Sequence, residues 1–313
     1  MASRLSWAWA AGRPARIAWP ASALITQWPP YAVFVEAMRE RGWIDGTHFV
    51  VDAASYEGHT ERVPAIVAEL LARQPDLIIG SGTPTMRSLM QATKSIPIVM
   101  FSVGDPVGEG FVASLGRPGG NVTGLSSVDH GILAKQFELL LQAAPQVRRA
   151  GVVHNPDIAP HVQGLRDVET VALRQGVQVR ALALRTPGEF NAIFDALQRE
   201  QVEAVHFFIQ PIMNTGDRVA RVAVLALQRR WPTAMGDATH ARAGILLSYC
   251  WKTEDMLRRL PYYVIRVLEG TPPGELPVEQ PTRFYTTLNL KTAKALGLVL
   301  PQSLQLQADE VIE

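Results

Sequence analysis

The sequence predicts an α/β protein of two doubly wound parallel-sheet lobes with a central cleft. Short apolar strands alternate with amphipathic helices through most of the chain, and the same alternation restarts near residue 150. With 313 residues, 47% of them hydrophobic, the chain holds enough apolar material for two cores of ordinary size.

The first half runs in order. Arg16-Ile-Ala-Trp19 reads as a strand, and Ala32 to Arg41 as an amphipathic helix ended by Gly42. His48 to Val51 is the second strand, and Arg62 to Arg73 a helix with Pro64 in its first turn. Asp76 to Ile79, a helix from Pro84 to Thr93, and the strand Pro97 to Phe101 follow. Apolar strands separated by helices imply βαβ units and a sheet buried on both faces.

The second half repeats this plan. Ala150 to Val153, Val177 to Leu184 and Ala204 to Phe208 read as strands, and Gly164 to Arg174 and Phe190 to Glu200 as helices. Gly42 and Gly176 take matching places, as do Asp76 and Glu203. Ligands of such sheets sit at the carboxyl ends of the strands, so two lobes set two groups of strand-end loops across a cleft. Gly116-Arg-Pro-Gly-Gly-Asn-Val-Thr-Gly124 is rich in turn formers and reads as a loop and hinge.

Composition narrows the function classes. Thirty basic against 29 acidic residues leave a formal charge of +1, which gives no reason to expect nucleic acid or an anionic membrane as partner. No interior apolar run approaches the roughly 20 residues of a membrane span. Cys250 is the single cysteine, so an intrachain disulfide is impossible, and its strand-like surroundings read as packing. Leu5 to Ala11 resembles the end of a secretory leader, with an apolar stretch only about 7 residues long, the lower limit for such a segment.

Candidate contacts gather at the predicted strand ends. Ser81-Gly82-Thr83-Pro84 follows a buried strand and opens a helix, with Thr83 expected as N-cap and Pro84 as first helical residue. Such a helix start favours an anion, typically a carboxylate. Ser102 ends the next strand, and Asp105 either accepts from a ligand ammonium or caps a helix. Leu125-Ser-Ser-Val-Asp129 carries the chain into the second lobe and adds Ser127 and Asp129. Asn155, Gln210 and Asp237 follow second-lobe strands and suit the orientation of a polar ligand. Trp28 and Tyr31 either stack on that ligand or pack at a helix start.

Catalytic patterns are missing. The seven histidines show no metal-ligand spacing, and there is no Gly-x-Ser-x-Gly elbow or phosphate-binding Gly-Lys-Ser/Thr. No enzyme activity, cofactor or metal is expected. A two-lobed transferase-like enzyme would need a phosphate loop and a positioned base. A sensor of the lac-repressor type would need a helix-turn-helix before Arg16.

Five separated motifs carry a resemblance. Tyr56-Glu-Gly-His-Thr-Glu-Arg62, Gly80-Ser-Gly-Thr-Pro84, Val103-Gly-Asp-Pro-Val-Gly108, Arg117-Pro-Gly-Gly-Asn-Val-Thr-Gly124 and the tail from Asn289 through Ala308-Asp-Glu-Val-Ile312 stand in order. Together they resemble the ABC-transporter substrate-binding proteins of the tryptophan/tyrosine-type group. The resemblance implies a type I periplasmic-binding-protein fold, a periplasmic or otherwise extracytoplasmic location, and a monomer that delivers its solute to a membrane permease. It further implies that Ser81, Thr83 and Ser102 line a carboxylate site for an amino acid or related ligand. In that fold the chain crosses between lobes three times, near residues 125–127, 245–249 and 284–287. Lobe one is then expected at 15–125 plus 246–284, and lobe two at 126–245 plus 285–313.

Overall fold

The computed structural model describes residues 12–23, 29–127, 131–214, 217–236 and 238–313. The chain divides into two units, Met1–Val128 with Thr253–Pro281 and Asp129–Lys252 with Thr282–Glu313.

The first unit opens with β1 (Ala15–Ala21), in which every residue except Arg16 is buried. Helix α1 (Pro29–Arg39), β2 (Phe49–Ser55), α2 (Val63–Ala72), β3 (Leu77–Ser81), α3 (Thr83–Ala92), β4 (Ile98–Gly104) and β5 (Val122–Ser127) follow. The strands lie in the order β2-β1-β3-β4-β5 and all pair in parallel. Helices on both faces require strands that are apolar on both sides, and Leu77-Ile-Ile-Gly80 is buried throughout. Helix α2 buries Val63, Ile66, Val67 and Leu70, the three-and-four spacing of one helix face.

The second unit begins with α4 (Ile132–Ala143), β6 (Arg149–His154), α5 (Ala159–Arg174), β7 (Gln178–Ala183) and α6 (Phe190–Arg199). It continues through β8 (Ala204–Phe207), α7 (Arg218–Gln228), β9 (Thr233–Met235), α8 (Ala238–Arg242) and β10 (Leu247–Cys250). The chain then supplies α9 (Thr253–Leu268) to the first unit, where it packs against α1, β4 and β5. It finishes the second unit with β11 (Tyr285–Asn289), α10 (Leu290–Leu296), α11 (Gln302–Leu306) and β12 (Glu310–Ile312). The second sheet reads β12-β11-β10-β9-β8-β6-β7. Its five strands β7-β6-β8-β9-β10 repeat the order of the first sheet, and β11 joins β10 antiparallel.

Several expectations need correction. Leu247–Cys250 was expected in the first lobe, but β10 pairs with β9 and β11 inside the second sheet. The chain changes unit at Lys252/Thr253 and Pro281/Thr282, just past and just before those paired strands. Gly116 to Gly124 is not a hinge, since it lies inside the first unit. Gly119 N–H donates to Gly274 O, Ala113 N–H to Pro118 O, and Gly124 is already in β5. Helices α4 and α7 had no counterpart in the sequence reading, although both carry amphipathic faces.

The open edge of β5 is covered by the segment after α9. Glu279 N–H donates to Gly124 O and Ser126 N–H to Glu279 O, while the Thr123 hydroxyl donates to Leu276 O. Arg259 holds Glu279 through two nitrogens at 2.6 and 2.8 Å. An exposed strand edge invites foreign pairing, and this segment removes that risk.

Gly124 is required where it stands. It faces Met100 across β4 and β5 with φ of 127°, and a Cβ there would lie 2.3 Å from the Met100 carbonyl oxygen. Gly124→Ala is expected to cost at least about 1–3 kcal/mol of stability. Urea denaturation checks this: the midpoint should fall at unchanged slope, and an unmoved midpoint would contradict the close approach.

Candidate ligand-binding site

In a sheet of order β2-β1-β3-β4-β5 the connections diverge between β1 and β3, opening a crevice at their carboxyl ends. In the first unit that crevice is flanked by Ser81. The indole Nε1–H of buried Trp19 donates to Ser81 Oγ at 2.9 Å. The serine hydroxyl is thereby fixed as an acceptor on one side, and its own proton remains available to a ligand. Trp19 is itself locked by edge contacts with Phe34, Tyr31 and Phe101, at centroid distances of 5.4, 6.2 and 6.4 Å.

Helix α3 starts one residue earlier than its sequence suggests. Gly82, at φ 74° and ψ 157°, is the N-cap, and buried Thr83 is the first helical residue, with Pro84 second. No side chain caps this helix, so Thr83 does not have the capping role expected of it. Glycine takes this positive φ without a Cβ penalty and lets the chain turn directly from strand to helix. The first amide donors of α3 and the positive end of its dipole therefore stay uncommitted to a side-chain cap, an arrangement suited to a carboxylate.

The end of β4 is irregular. Register shifts between Phe101 and Val103, and Ser102 between them has φ of 52°. Such a bulge leaves its extra residue out of the ladder and re-aims its side chain. Asp105 also has positive φ, at 31°, and its Oδ1 accepts from Gly108 N–H at 2.9 Å. Asp105 thus closes a local turn and caps no helix. Ser127 ends β5 and is buried. Tyr31 packs against Trp19 in the first turn of α1, and its phenol is pushed up to about 12 by burial, then by Asp45. Trp28, Asp129 and Asp237 lie outside the described residues.

In the second unit the equivalent divergence lies between β6 and β8, with Asn155 following one strand and Gln210 following near the other. Asn155 is buried, and its Oδ1 accepts from Asp157 N–H at 2.9 Å. Gln210 is 2% exposed, yet among the described residues neither its Oε1 nor its Nε2 has a hydrogen-bond partner. A buried carboxamide left empty costs about 1–3 kcal/mol per unmet group, so its persistence calls for a partner.

Three buried histidines, His154, His161 and His206, stand beside these residues, and their spacing in the sequence carries no site pattern. His161 accepts from Asn155 N–H at Nδ1 and shares Nε2 with Ile209 O at 2.9 Å. His206 Nε2 meets Gln136 Oε1 at 2.7 Å, and Gln136 Nε2 in turn donates to Tyr249 O. Burial pushes both rings down to about 3, and it lowers His154 as well, with Arg185 adding to that effect. Their one signal in the sequence is His206 inside the apolar strand Ala204-Val-His-Phe207. Among the described residues, no group of three or more His, Cys, Asp or Glu could hold a metal ion. No described helix is long and apolar enough to cross a membrane.

Residues 30–312 match the family model of the ABC transporter substrate binding proteins. The chain belongs to that family. It is 26% identical over 266 residues to a tyrosine-binding protein of Clostridioides difficile, covering 85% of this chain and 75% of the relative. Among solved structures, a conserved domain protein of Vibrio cholerae aligns with TM-score 0.84 at 24% identity, over 96% of this chain and all of that one. An ABC domain from Streptococcus pneumonia in complex with L-Trp aligns with TM-score 0.82 at 24% identity, with the same coverage. At these identities the solved structures establish the shared fold of two parallel-sheet α/β lobes.

The buried histidines are expected to make the substrate-binding protein less stable in acid. A folded-state pKa below the unfolded value means that the unfolded chain takes up protons first as pH falls, so stability is lost with acidification. Between pH 7 and 5, His161 and His206 should each remove about 2 kcal/mol, from an unfolded pKa near 6.5. Urea midpoints at the two pH values test this, with His206→Phe expected to remove about half of the difference. A protein equally stable at both would show that the rings are not held neutral.

Proposed function

We propose that this substrate-binding protein works outside the cytoplasmic membrane, where it receives an aromatic L-amino acid, tryptophan or tyrosine, and passes it unchanged to an ABC permease. The observation that carries this reading is the uncapped start of α3 directly after Ser81, whose hydroxyl is held by Trp19. Backbone amides, a helix dipole and an oriented hydroxyl form a donor array matched to an α-carboxylate. The Gln210 carboxamide, partnerless among the described residues, and Ser102 offer further polar contacts, and Tyr31 and Phe101 supply aromatic surface beside Trp19. The ligand class draws support from the tyrosine-binding relative and the L-Trp complex.

Binding without turnover follows from the same hydrogen bond. Ser81 is approached by an indole N–H, which cannot take its proton, whereas a nucleophilic serine needs a neighbouring base. No cofactor takes part in this reading.

Calorimetry with L-tryptophan, L-tyrosine and their carboxamides tests the proposal. The acids should bind and the amides should bind far more weakly. A hydrogen bond to a charged group contributes about 1.5–3 kcal/mol, so Ser81→Ala should weaken binding roughly tenfold to a hundredfold. Ligand recovered after long incubation should be chemically intact. Amides that bind as tightly as acids, or wild-type affinity in Ser81→Ala, would move the carboxylate away from α3.

A further inference from the structure

We infer that His161 is a positioning residue for the ligand site of the second unit, clamping the loop after β6 to the loop after β8. This rests on the reading of Gln210 as a ligand contact. The ring sits in the first turns of α5 and is 7% exposed, with its edge on Phe208 at 5.3 Å. Asn155 N–H can only donate, so Nδ1 is the acceptor, and Nε2 then carries the proton and donates to Ile209 O. One ring thus ties the residue that follows β6 to the residue preceding Gln210.

Phe208 N–H donates to Val153 O at the foot of the two loops, and beyond that point the main-chain bonds of Asn155 and Gln210 among the described residues are local. Asn155 O accepts from Ile158 N–H and Gln210 O accepts from Met213 N–H, and each of these bonds stays within its own loop. His161 joins the two loops at the place where the sheet connections diverge. A protonated ring could not accept from Asn155, so the clamp requires the neutral, Nε2-protonated form. The surroundings maintain that form: the ring is buried, and the ionisable groups around it are His154 and, beyond Phe208, His206. Gln210 follows Ile209 directly, and among the described residues its carboxamide has no partner.

A double-mutant cycle tests the inference, with L-tryptophan and L-tyrosine as probes. His161→Phe keeps a ring of similar size and removes both hydrogen bonds, and should lower affinity about tenfold or more. In a Gln210→Ala background the same change should have no further effect on affinity, because the ring acts through Gln210. His161→Gln can return a donor to Ile209 O and should recover most of the loss. Wild-type affinity in His161→Phe, or losses that simply add, would overturn the clamp. Gln210→Ala binding as tightly as wild type would instead show that the ligand reading of Gln210 fails, and the clamp falls with it. Nitrogen NMR of the wild type gives a second test that needs no folded variant: an Nδ1-protonated His161 overturns the inference.

Discussion

Burial of parallel strands on both faces is the constraint from which the rest of this molecule follows. Once β1, β3, β4, β6 and β8 lie between helices, their backbone groups must be spent on neighbouring strands, and their side chains on packing. Polar chemistry is then left to the strand ends. The order β2-β1-β3-β4-β5, repeated as β7-β6-β8-β9-β10, fixes which ends adjoin a crevice. Ser81 ends β3 and Gln210 lies three residues beyond β8, the third strands of their respective sheets.

Local departures from regular geometry occur at the ends of β3 and β4. Gly82 turns the chain at positive φ, and Ser102 and Asp105 adopt left-handed backbone although neither is glycine. Each such non-glycine residue costs about 1–3 kcal/mol and persists only when its surroundings impose it. Here the β4 bulge and the Asp105 turn onto Gly108 do so. Gln210 adds a cost of another kind, a buried amide without a hydrogen-bond partner among the described residues. The β4 bulge and the Gln210 carboxamide, partnerless among the described residues, are features that the proposed ligand would meet.

The histidines show how the interior supports that site. His206 and Gln136 form a buried polar chain to the Tyr249 carbonyl, while His161 reaches from α5 to two loops. Neutral imidazole suits the His161 place because it offers one donor and one acceptor in a fixed plane, whereas His206 is engaged through Nε2 alone among the described residues. The cost is a fold that loses stability in acid, since a proton on either ring destroys an accepting atom or adds an unpaired charge.

Sequence by itself determined the fold class, the repeat and the strand ends at which the polar candidates gather. Apolar runs such as Leu77-Ile-Ile79 report burial on both faces, and residues following them must be strand ends whatever the rest of the chain does. The candidates Ser81, Ser102, Asn155 and Gln210 were legible for that reason. Tertiary structure decided what each could do. Whether Thr83 or Gly82 caps α3 depends on a backbone angle, and whether Asp105 is free depends on Gly108 three residues away. The assignment of Leu247–Cys250 to the second unit depends on pairing with Thr233–Met235 and Tyr285–Asn289, which no local pattern reveals. His161 was invisible as a site residue because its partners, Asn155 N–H and Ile209 O, are main-chain atoms. Backbone groups are the same in every sequence, so only the folded chain could bring these two to one ring.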